Sequence, residues 1–227
     1  MNQNTGNSAG GGEMSLLRAA VPYVLPFGLF AVLTYASGLA DLHPAVGYAV
    51  KTVLVAGCLI YFLPAYKGEI RFHIRLVDIA AGILVFLVWI GLEGLYPQLG
   101  SPAGFNPWAI SGGPVSATAS IAIRLLGAAL VVPVMEELFW RSFAMRFLID
   151  SNFRAVALGR FTLFSFLLVS LAFGLEHHRW LPGILAGLVY GGLLCRSRNL
   201  FSPILAHAVT NLLLGLYVVL TQSWQFW

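Results

Sequence analysis

Seven apolar stretches separated by short polar loops dominate the hydrophobic pattern of the chain. A helix that crosses a membrane needs about 20 mostly apolar residues. The pattern predicts spans, with loosely defined ends, at 20–40, 44–66, 76–96, 117–141, 161–177, 181–196 and 201–222. Segment 142–160 contains three arginines among apolar residues, and it either extends the fourth span or lies along the membrane interface. The pattern is typical of the all-α class, as a polytopic transmembrane helical bundle of about seven spans.

Composition agrees with a chain that lipid solvates over most of its surface. Only 10% of its residues are charged, against about 25% in a soluble domain. Lipid-exposed backbone must satisfy its own hydrogen bonds, which favours helices. The net charge of +4 is spread over several short loops. We therefore expect the lipid bilayer, and no nucleic acid, as the partner of the basic residues.

The basic residues alternate between successive loops. Loop 67–75 and region 141–160 are basic, whereas loop 97–116 has no Lys or Arg. Because basic loops stay on the cytoplasmic side, this alternation predicts a cytoplasmic N-terminus and a C-terminus outside. Residues 1–13 are polar and Gly-rich without a basic n-region, so we expect a flexible tail rather than a cleaved signal peptide. Residues 14–116, which include the first three spans, carry no motif.

A few charged residues lie inside or beside the first four spans. Lys51 and Arg124 are near the outer ends of their spans, and we expect both side chains to extend to the membrane interface. A Lys51–Glu93 ion pair is the alternative. Asp78 and Glu93 lie toward opposite ends of the third span, and we expect both to be interfacial.

Two adjacent carboxylates, Glu136 and Glu137, lie close to Arg141 in an apolar segment. Each charge in hydrocarbon costs about 2.5–3.5 kcal/mol, so such charges usually have a partner or a function. Residues four apart share one face of a helix, which predicts a Glu137–Arg141 ion pair. Glu136 then remains free to face a cavity, where burial makes a carboxylate a stronger base. The alternative is a purely structural ion network.

A second polar pair, His207 and Asn211, lies four residues apart in the last span. An imidazole and an amide on one helix face can donate to the same oxygen, which is the geometry of an oxyanion-stabilising pair. The alternative is a polar contact that only joins two helices.

Phe173 and His177 repeat this spacing. The phenyl ring can pack against the imidazole and limit its rotamers, and His177 can then orient a water molecule jointly with Glu136. His178 is the competing candidate for this role, because the two histidines are adjacent.

Other intramembrane protease chemistries lack their motifs in this chain. There is no His-Glu-x-x-His helix for zinc and no Gly-x-Gly-Asp motif for an aspartyl site. Ser111-Gly112 lacks the preceding glycine of a rhomboid-like serine site. What remains is a glutamate-based site. The order Glu-Glu-x-x-x-Arg, Phe-x-x-x-His and His-x-x-x-Asn, over 136–211, resembles the CPBP family of CAAX prenyl proteases and bacteriocin-processing relatives.

The resemblance implies a membrane-embedded endopeptidase whose catalytic core covers 117–222. Its substrate would be a membrane-associated protein or peptide, cleaved near its C-terminus or at a membrane-proximal site. The chain is most similar to a small bacterial branch, which implies the inner membrane and sorting-signal, peptide-maturation or immunity roles. Many family members have Phe-Arg-Gly where this chain has Trp140-Arg141-Ser142, a change that we expect to alter packing and to preserve the chemistry.

The resemblance also implies a role for each motif residue. Glu136 would activate water with assistance from His177. His207 and Asn211 would stabilise the tetrahedral oxyanion, and the Glu137–Arg141 pair would support the site. Glu136, His177 and His207 could instead ligate zinc with water in the fourth position. We favour a metal-free site and commit to no cofactor.

Two other functions compete with proteolysis. A non-enzymatic immunity or scaffold protein would use the polar residues to hold a partner, and a small proton-coupled transporter would use an intramembrane carboxylate as a relay. The predicted spans also raise a geometric conflict, because they place Glu136 and His177 near opposite membrane faces. The two meet only if the fourth span continues toward residue 150 or the fifth is displaced. We expect the cavity to open on the cytoplasmic side.

Overall fold

Seven helices make up most of the residues that the computed structural model describes, one for each predicted span. The structure describes residues 8–40, 42–100, 104–110 and 112–227, with side chains from residue 16 onward. The helices are α1 Ser8–Leu39, α2 Pro44–Tyr61, α3 Leu76–Gly91, α4 Pro114–Phe147, α5 Leu163–Leu175, α6 Trp180–Ser197 and α7 Phe201–Thr221. Short helical turns occur at Leu63–Tyr66, Pro107–Ile110, Phe153–Ala155 and Trp224–Phe226. The part of the chain that the structure describes contains no strand, which confirms the all-α class.

Four of the helices, α1, α2, α4 and α7, are long and apolar enough to cross a membrane. Helices α3 and α5 are also apolar but shorter, with 16 and 13 residues. Residues 1–7 of the predicted tail lie outside the described residues, and α1 already begins at Ser8. The chain is therefore an integral membrane protein built from helices of unequal length.

Helix α4 is longer than the sequence pattern predicts. The predicted span ends at residue 141, but the helix continues to Phe147. It contains two π-helical turns, Gly127–Val131 and Leu138–Ala144, and such turns are frequent at functional sites. The charge of Arg146 does not end the helix, because its guanidinium pairs with Glu69 at 2.7 Å. Segment 142–160 therefore extends the fourth span by about one and a half turns and then leaves the helix.

A buried polar cluster fixes this end of α4. Glu69, in the loop after α2, accepts hydrogen bonds from Arg146 and Ser142 of α4. The hydroxyl of Tyr23, on α1, donates to the same carboxylate at 3.0 Å. Three separate segments are thus tied to one carboxylate.

Asp78, in the first turn of α3, is fully buried among its neighbours. Its carboxylate accepts hydrogen bonds from Arg75 and from the hydroxyl of Ser202, both at 2.6 Å. Because Ser202 lies in the first turn of α7, the buried carboxylate joins the starts of α3 and α7.

Close helix contacts bring the polar residues together. A Cβ atom at Gly82 would lie 2.4 Å from the carbonyl oxygen of Ala206, so α3 and α7 touch along their backbones. The hydroxyl of Thr210 donates to the Gly82 carbonyl at 2.9 Å. At Gly187 of α6, a Cβ would lie 2.9 Å from the Cα of Ser170 on α5. Small residues allow this close approach in membrane bundles, and here they surround the site.

Candidate active site

The lengths of α4 and α5 remove the conflict over depth. Glu136 lies three turns before the end of α4 at Phe147, which corresponds to about 16 Å. Helix α5 begins on the same side of the bundle, and its 13 residues rise about 20 Å. The turn that follows α5, with His177, therefore lies at about the depth of Glu136.

Glu137 is at the centre of the polar contacts. Its side chain is fully buried, with Oε1 2.9 Å from Nδ1 of His207. Its Oε2 lies 3.1 Å from Nε of Arg141, which forms the i,i+4 ion pair. These two atoms lack hydrogen-bond geometry, so the attraction is mainly between the charges. The Arg141 guanidinium also lies 4.0 Å from the ring centroid of Phe173, which holds it by a cation–π contact.

His207 is oriented by two partners. Because the ionised Glu137 carboxylate can only accept, Nδ1 carries the proton, and Nε2 of the neutral ring is then an acceptor. The ring stacks on Tyr190 with centroids 4.9 Å apart and an interplanar angle of 20°. The hydroxyl of Tyr190 donates to Thr210 at 2.7 Å. Nε2 is thereby directed at Glu136, whose Oε2 lies 3.9 Å away.

Glu136 differs sharply from its neighbour. Its side chain is also buried, but its Oε2 has no hydrogen-bond partner among the described residues. A buried polar atom without a partner is uncommon and needs an explanation. Oε2 of Glu137 also lacks a hydrogen bond, but the Arg141 guanidinium lies 3.1 Å from it, whereas Oε2 of Glu136 faces Nε2 of His207 at 3.9 Å.

The adjacent histidines His177 and His178 have different environments. Nδ1 of His177 donates to the carbonyl of Phe173 at 2.8 Å, which leaves Nε2 as an acceptor. Its ring packs against Phe173 and against Trp89 of α3, with centroids 5.1 and 5.5 Å away. His178 instead donates through Nδ1 to the carbonyl of Leu99, and its own carbonyl accepts from the Leu99 amide. His178 therefore fixes a loop, while His177 presents a nitrogen to the site.

We expect alanine substitution to separate the two histidines. His177→Ala should lower the cleavage rate by about tenfold or more, because it removes an acceptor that can orient water. His178→Ala should keep activity within about twofold and lower stability by about 1 kcal/mol, the net value of one hydrogen bond. Steady-state cleavage and thermal melting of both variants check this. The reverse pattern would assign the role to His178.

The structure does not leave Asn211 and His207 as two free donors for an oxyanion. The amide nitrogen of Asn211 donates to the carbonyl of Ala128 at 2.9 Å, within the first π-helical turn. One amide hydrogen remains, and Asn211 lines a cavity. The other expected donor, His207, uses Nδ1 on Glu137, so its Nε2 can donate to an oxyanion only when the ring is protonated.

The cavity has a volume of about 440 Å³ and extends from the site toward the end of the bundle where α7 ends. His177, Asn211 and Val132, one helical turn before Glu136, line it, and so does Arg124 farther out, whereas Glu136 and His207 lie behind its wall. The described residues of loop 97–116, a loop without a basic residue, lie at the same end. With a cytoplasmic N-terminus the cavity would open away from the cytoplasm, opposite to the expected direction.

The comparison with protein families agrees with this arrangement. Residues 118–213, which contain all three motifs, match the family described as Rce1-like, type II CAAX prenyl endopeptidase. The matched region, 96 of the 227 residues, is similar to the Rce1-like family. This confirms the resemblance to CPBP and CAAX proteases, and at the level of the family it implies an intramembrane endopeptidase. No match was found among curated proteins or among solved structures.

Sequence reasoning missed two carboxylates that contact α4, Glu176 beside the site and Glu69 at the end of the helix. Trp140 donates through Nε1 to Glu176 at 3.1 Å, and Ser142 donates to Glu69. Trp140 and Ser142 are the two positions at which the chain departs from Phe-Arg-Gly. Trp140 and Ser142 therefore each add a hydrogen-bond donor for an acidic side chain. Their difference from Phe-Arg-Gly is what the sequence offered as a sign of these contacts.

A further ion pair holds the turn that carries His177. Arg179 donates to both oxygens of Glu93 at 2.7 Å and to the carbonyl of Gln225 at 3.1 Å. The Arg179 guanidinium beside Glu93 lowers the pKa of that carboxyl from its ordinary value of 4.5. The alternative Lys51–Glu93 pair is wrong, because Lys51 donates to Thr34 at 3.0 Å instead.

The Glu93 pair predicts a pH-dependent contribution to stability. Since the pKa of Glu93 is lowered in the folded protein, its contribution is complete above pH 4.5 and is lost as the pH falls below that value. Glu93→Gln should therefore be less stable than wild type at pH 7, by roughly 0.5–1 kcal/mol, and equal to it at low pH. Denaturation at several pH values tests this, with Asp150→Asn as a control for charge alone. A constant difference across pH would contradict it.

Zinc ligation by Glu136, His177 and His207 finds limited support in the geometry. Both histidines engage Nδ1 and leave Nε2 open, as metal-bound histidines do. However, no three His, Cys, Asp or Glu side chains among the described residues converge closely enough to hold a metal ion. The residues present do not fit zinc in this arrangement, and the chemistry of the site is derived from its side chains alone.

Proposed function

We propose that the chain is an intramembrane endopeptidase in which Glu136 activates water to cleave a membrane-associated protein or peptide. The observation that carries this proposal is the contrast between two adjacent buried carboxylates. Glu137 has a hydrogen bond from His207 at Oε1 and the Arg141 guanidinium 3.1 Å from Oε2. Neither Oε2 atom has a hydrogen-bond partner among the described residues, but Oε2 of Glu136 also lacks a close cation and lies 3.9 Å from Nε2 of His207.

The gap between Glu136 and His207 suits one water molecule. A water that makes ordinary hydrogen bonds of about 2.8 Å to both atoms spans a gap of this size. Glu136 accepts a proton from that water while the water oxygen attacks the carbonyl carbon of the substrate. The C–N bond then breaks, and the proton held by Glu136 passes to the leaving amine. Glu136 thus acts first as general base and then as general acid.

Three neighbours of Glu136 take supporting roles. The remaining amide hydrogen of Asn211 donates to the developing oxyanion. Nε2 of His177, an acceptor, orients the water or a substrate N–H. His207, held by Glu137 through Nδ1, accepts a hydrogen bond from the attacking water at Nε2 and so helps to orient it.

The substrate is a membrane-associated chain cleaved near its C-terminus or at a membrane-proximal site. The family description names prenylated CAAX substrates. Nothing in the cavity of this chain requires a prenyl group, so sorting-signal processing or peptide maturation fits the same chemistry.

Hydrolysis of defined peptides in labelled water tests the proposal. The purified protein, reconstituted in nanodiscs, is incubated in H₂¹⁸O with a mixture of synthetic apolar peptides and the products are analysed by mass spectrometry. We expect wild type to form products with ¹⁸O in the new carboxylate, and Glu136→Gln to form none. Equal product formation by both proteins would contradict the assignment of Glu136.

A further inference from the structure

Arg124 has an unusual environment for a charged residue in a membrane helix. Its half-buried guanidinium lies between three aromatic rings, with centroids 5.0 Å away for Tyr48, 4.9 Å for Phe105 and 5.3 Å for Trp227. No Asp or Glu among the described residues forms an ion pair with it. The rings hold the guanidinium in place, and no anionic side chain among the described residues neutralises its charge.

Arg124 also lines the cavity that leads to the site. Ala128 and Val132 line it as well, each one helical turn closer to Glu136. A π-helical turn accommodates one extra residue, and α4 has one at Gly127–Val131. The 12 residues from Arg124 to Glu136 therefore advance the helix like about 11, or three α-helical turns, so both residues share one face roughly 16–17 Å apart.

We propose that Arg124 is a subsite of this cavity that binds a carboxylate of the substrate and sets the distance to the cleaved bond. This inference rests on the proposed function. A guanidinium binds a carboxylate through two parallel hydrogen bonds. Because the group is planar, it can stack on aromatic rings that hold it in one orientation. The low polarity around the rings strengthens that attraction relative to water.

The separation predicts where cleavage occurs. An extended peptide advances about 3.3–3.6 Å per residue. A carboxylate on Arg124 therefore places the bond at Glu136 about five residues upstream. The carboxylate is either the C-terminal group of the substrate or the side chain of an Asp or Glu at that position, since both offer the same chemistry.

Lys51 supplies a matched control. Its ammonium group lies 5.1 Å from the centroid of the same Tyr48 ring and donates to Thr34. Unlike Arg124, Lys51 does not line the cavity. Lys51→Met therefore removes a cation from the same ring without removing one from the proposed subsite.

The test measures both cleavage position and binding. The probes are synthetic apolar peptides with a free or amidated C-terminus, each with or without an acidic residue in its last six positions. With wild type and Lys51→Met, cleavage should cluster about five residues before a carboxylate. Arg124→Gln should raise KM about 10- to 100-fold, the value of a charge-assisted hydrogen bond, with little change in kcat, and should scatter the cleavage positions. Arg124→Lys should retain part of the preference.

Binding to Glu136→Gln, followed by fluorescence anisotropy, separates this proposal from the proposed function. Carboxylate-bearing peptides should bind about 10- to 100-fold more weakly when Arg124→Gln is added. The proposed function fails, and the subsite stands, if this loss occurs but wild type cleaves nothing. The subsite is overturned if folded Arg124→Gln binds and cleaves the peptides as wild type does. It is also overturned if the variant loses peptide binding only in vesicles that contain anionic lipid, because Arg124 would then bind a lipid headgroup rather than the substrate. Amidated peptides identify which carboxylate is bound.

Discussion

Replacing Glu136 by glutamine is expected to lower the cleavage rate at least about 100-fold, the typical contribution of general acid–base catalysis. The amide keeps the size of the side chain but cannot accept a proton from water. We also expect the melting temperature to stay equal or rise, because Oε2 of Glu136 has no hydrogen-bond partner among the described residues and a neutral group is easier to bury. Single-turnover cleavage and thermal melting of the reconstituted variant measure both effects.

Glu69→Gln is the matched control for this substitution. Glu69 is a half-buried carboxylate in the loop after α2, and its oxygens are paired with Arg146, Ser142 and Tyr23. Its loss should lower stability and leave cleavage largely intact. If Glu136→Gln instead unfolds the protein while turnover by the folded fraction stays normal, Glu136 is a structural residue and the mechanism is wrong.

Arg141→Ala is expected to have the largest effect on stability. It leaves the fully buried Glu137 without its cation, and breaking a buried pair in this way costs about 3–5 kcal/mol. For a chain of this size the melting temperature should fall by roughly 10 °C. Activity should fall as well, since Glu137 no longer holds His207 in one orientation. An unchanged melting temperature would show that the pair contributes nothing.

A double substitution separates the two effects of the pair. Glu137→Leu with Arg141→Met replaces two buried charges by apolar groups of similar size, a change that is often neutral or stabilising. We expect its stability to be near that of wild type. Cleavage should remain low, because Nδ1 of His207 loses its acceptor. Recovery of both stability and cleavage would show that Glu137 does not orient the histidine.

The seven helices and the pairing of Glu137 with Arg141 follow from local patterns. A run of apolar residues determines that a helix lies in the membrane, and helical periodicity determines which side chains share a face. The three motifs, which lie on three different segments, identified residues that the fold brings close together. These features are readable because each depends on only a few neighbouring positions or on motif order.

The remaining features depend on contacts between distant segments. Helix α4 continues past Arg141 because Glu69, in another loop, accepts from Arg146 and Ser142. Nδ1 of His207 donates to Glu137 and is therefore not available to an oxyanion. No pattern in the sequence of α7 predicts this hydrogen bond. The environment of Arg124 depends on rings from three separate segments. Such contacts are fixed by tertiary packing, which spacing along the sequence does not encode.

Quantitative terminal proteomics of membranes from source cells tests the central claim most directly. Cells carry wild-type protein, Glu136→Gln or a deletion, and the new protein termini are compared. We predict that specific termini present in wild type disappear in both Glu136→Gln and the deletion, which also names the substrates. An unchanged set of termini, together with Glu136→Gln rescuing the phenotype of the deletion, would contradict proteolysis and assign the polar residues to holding a partner.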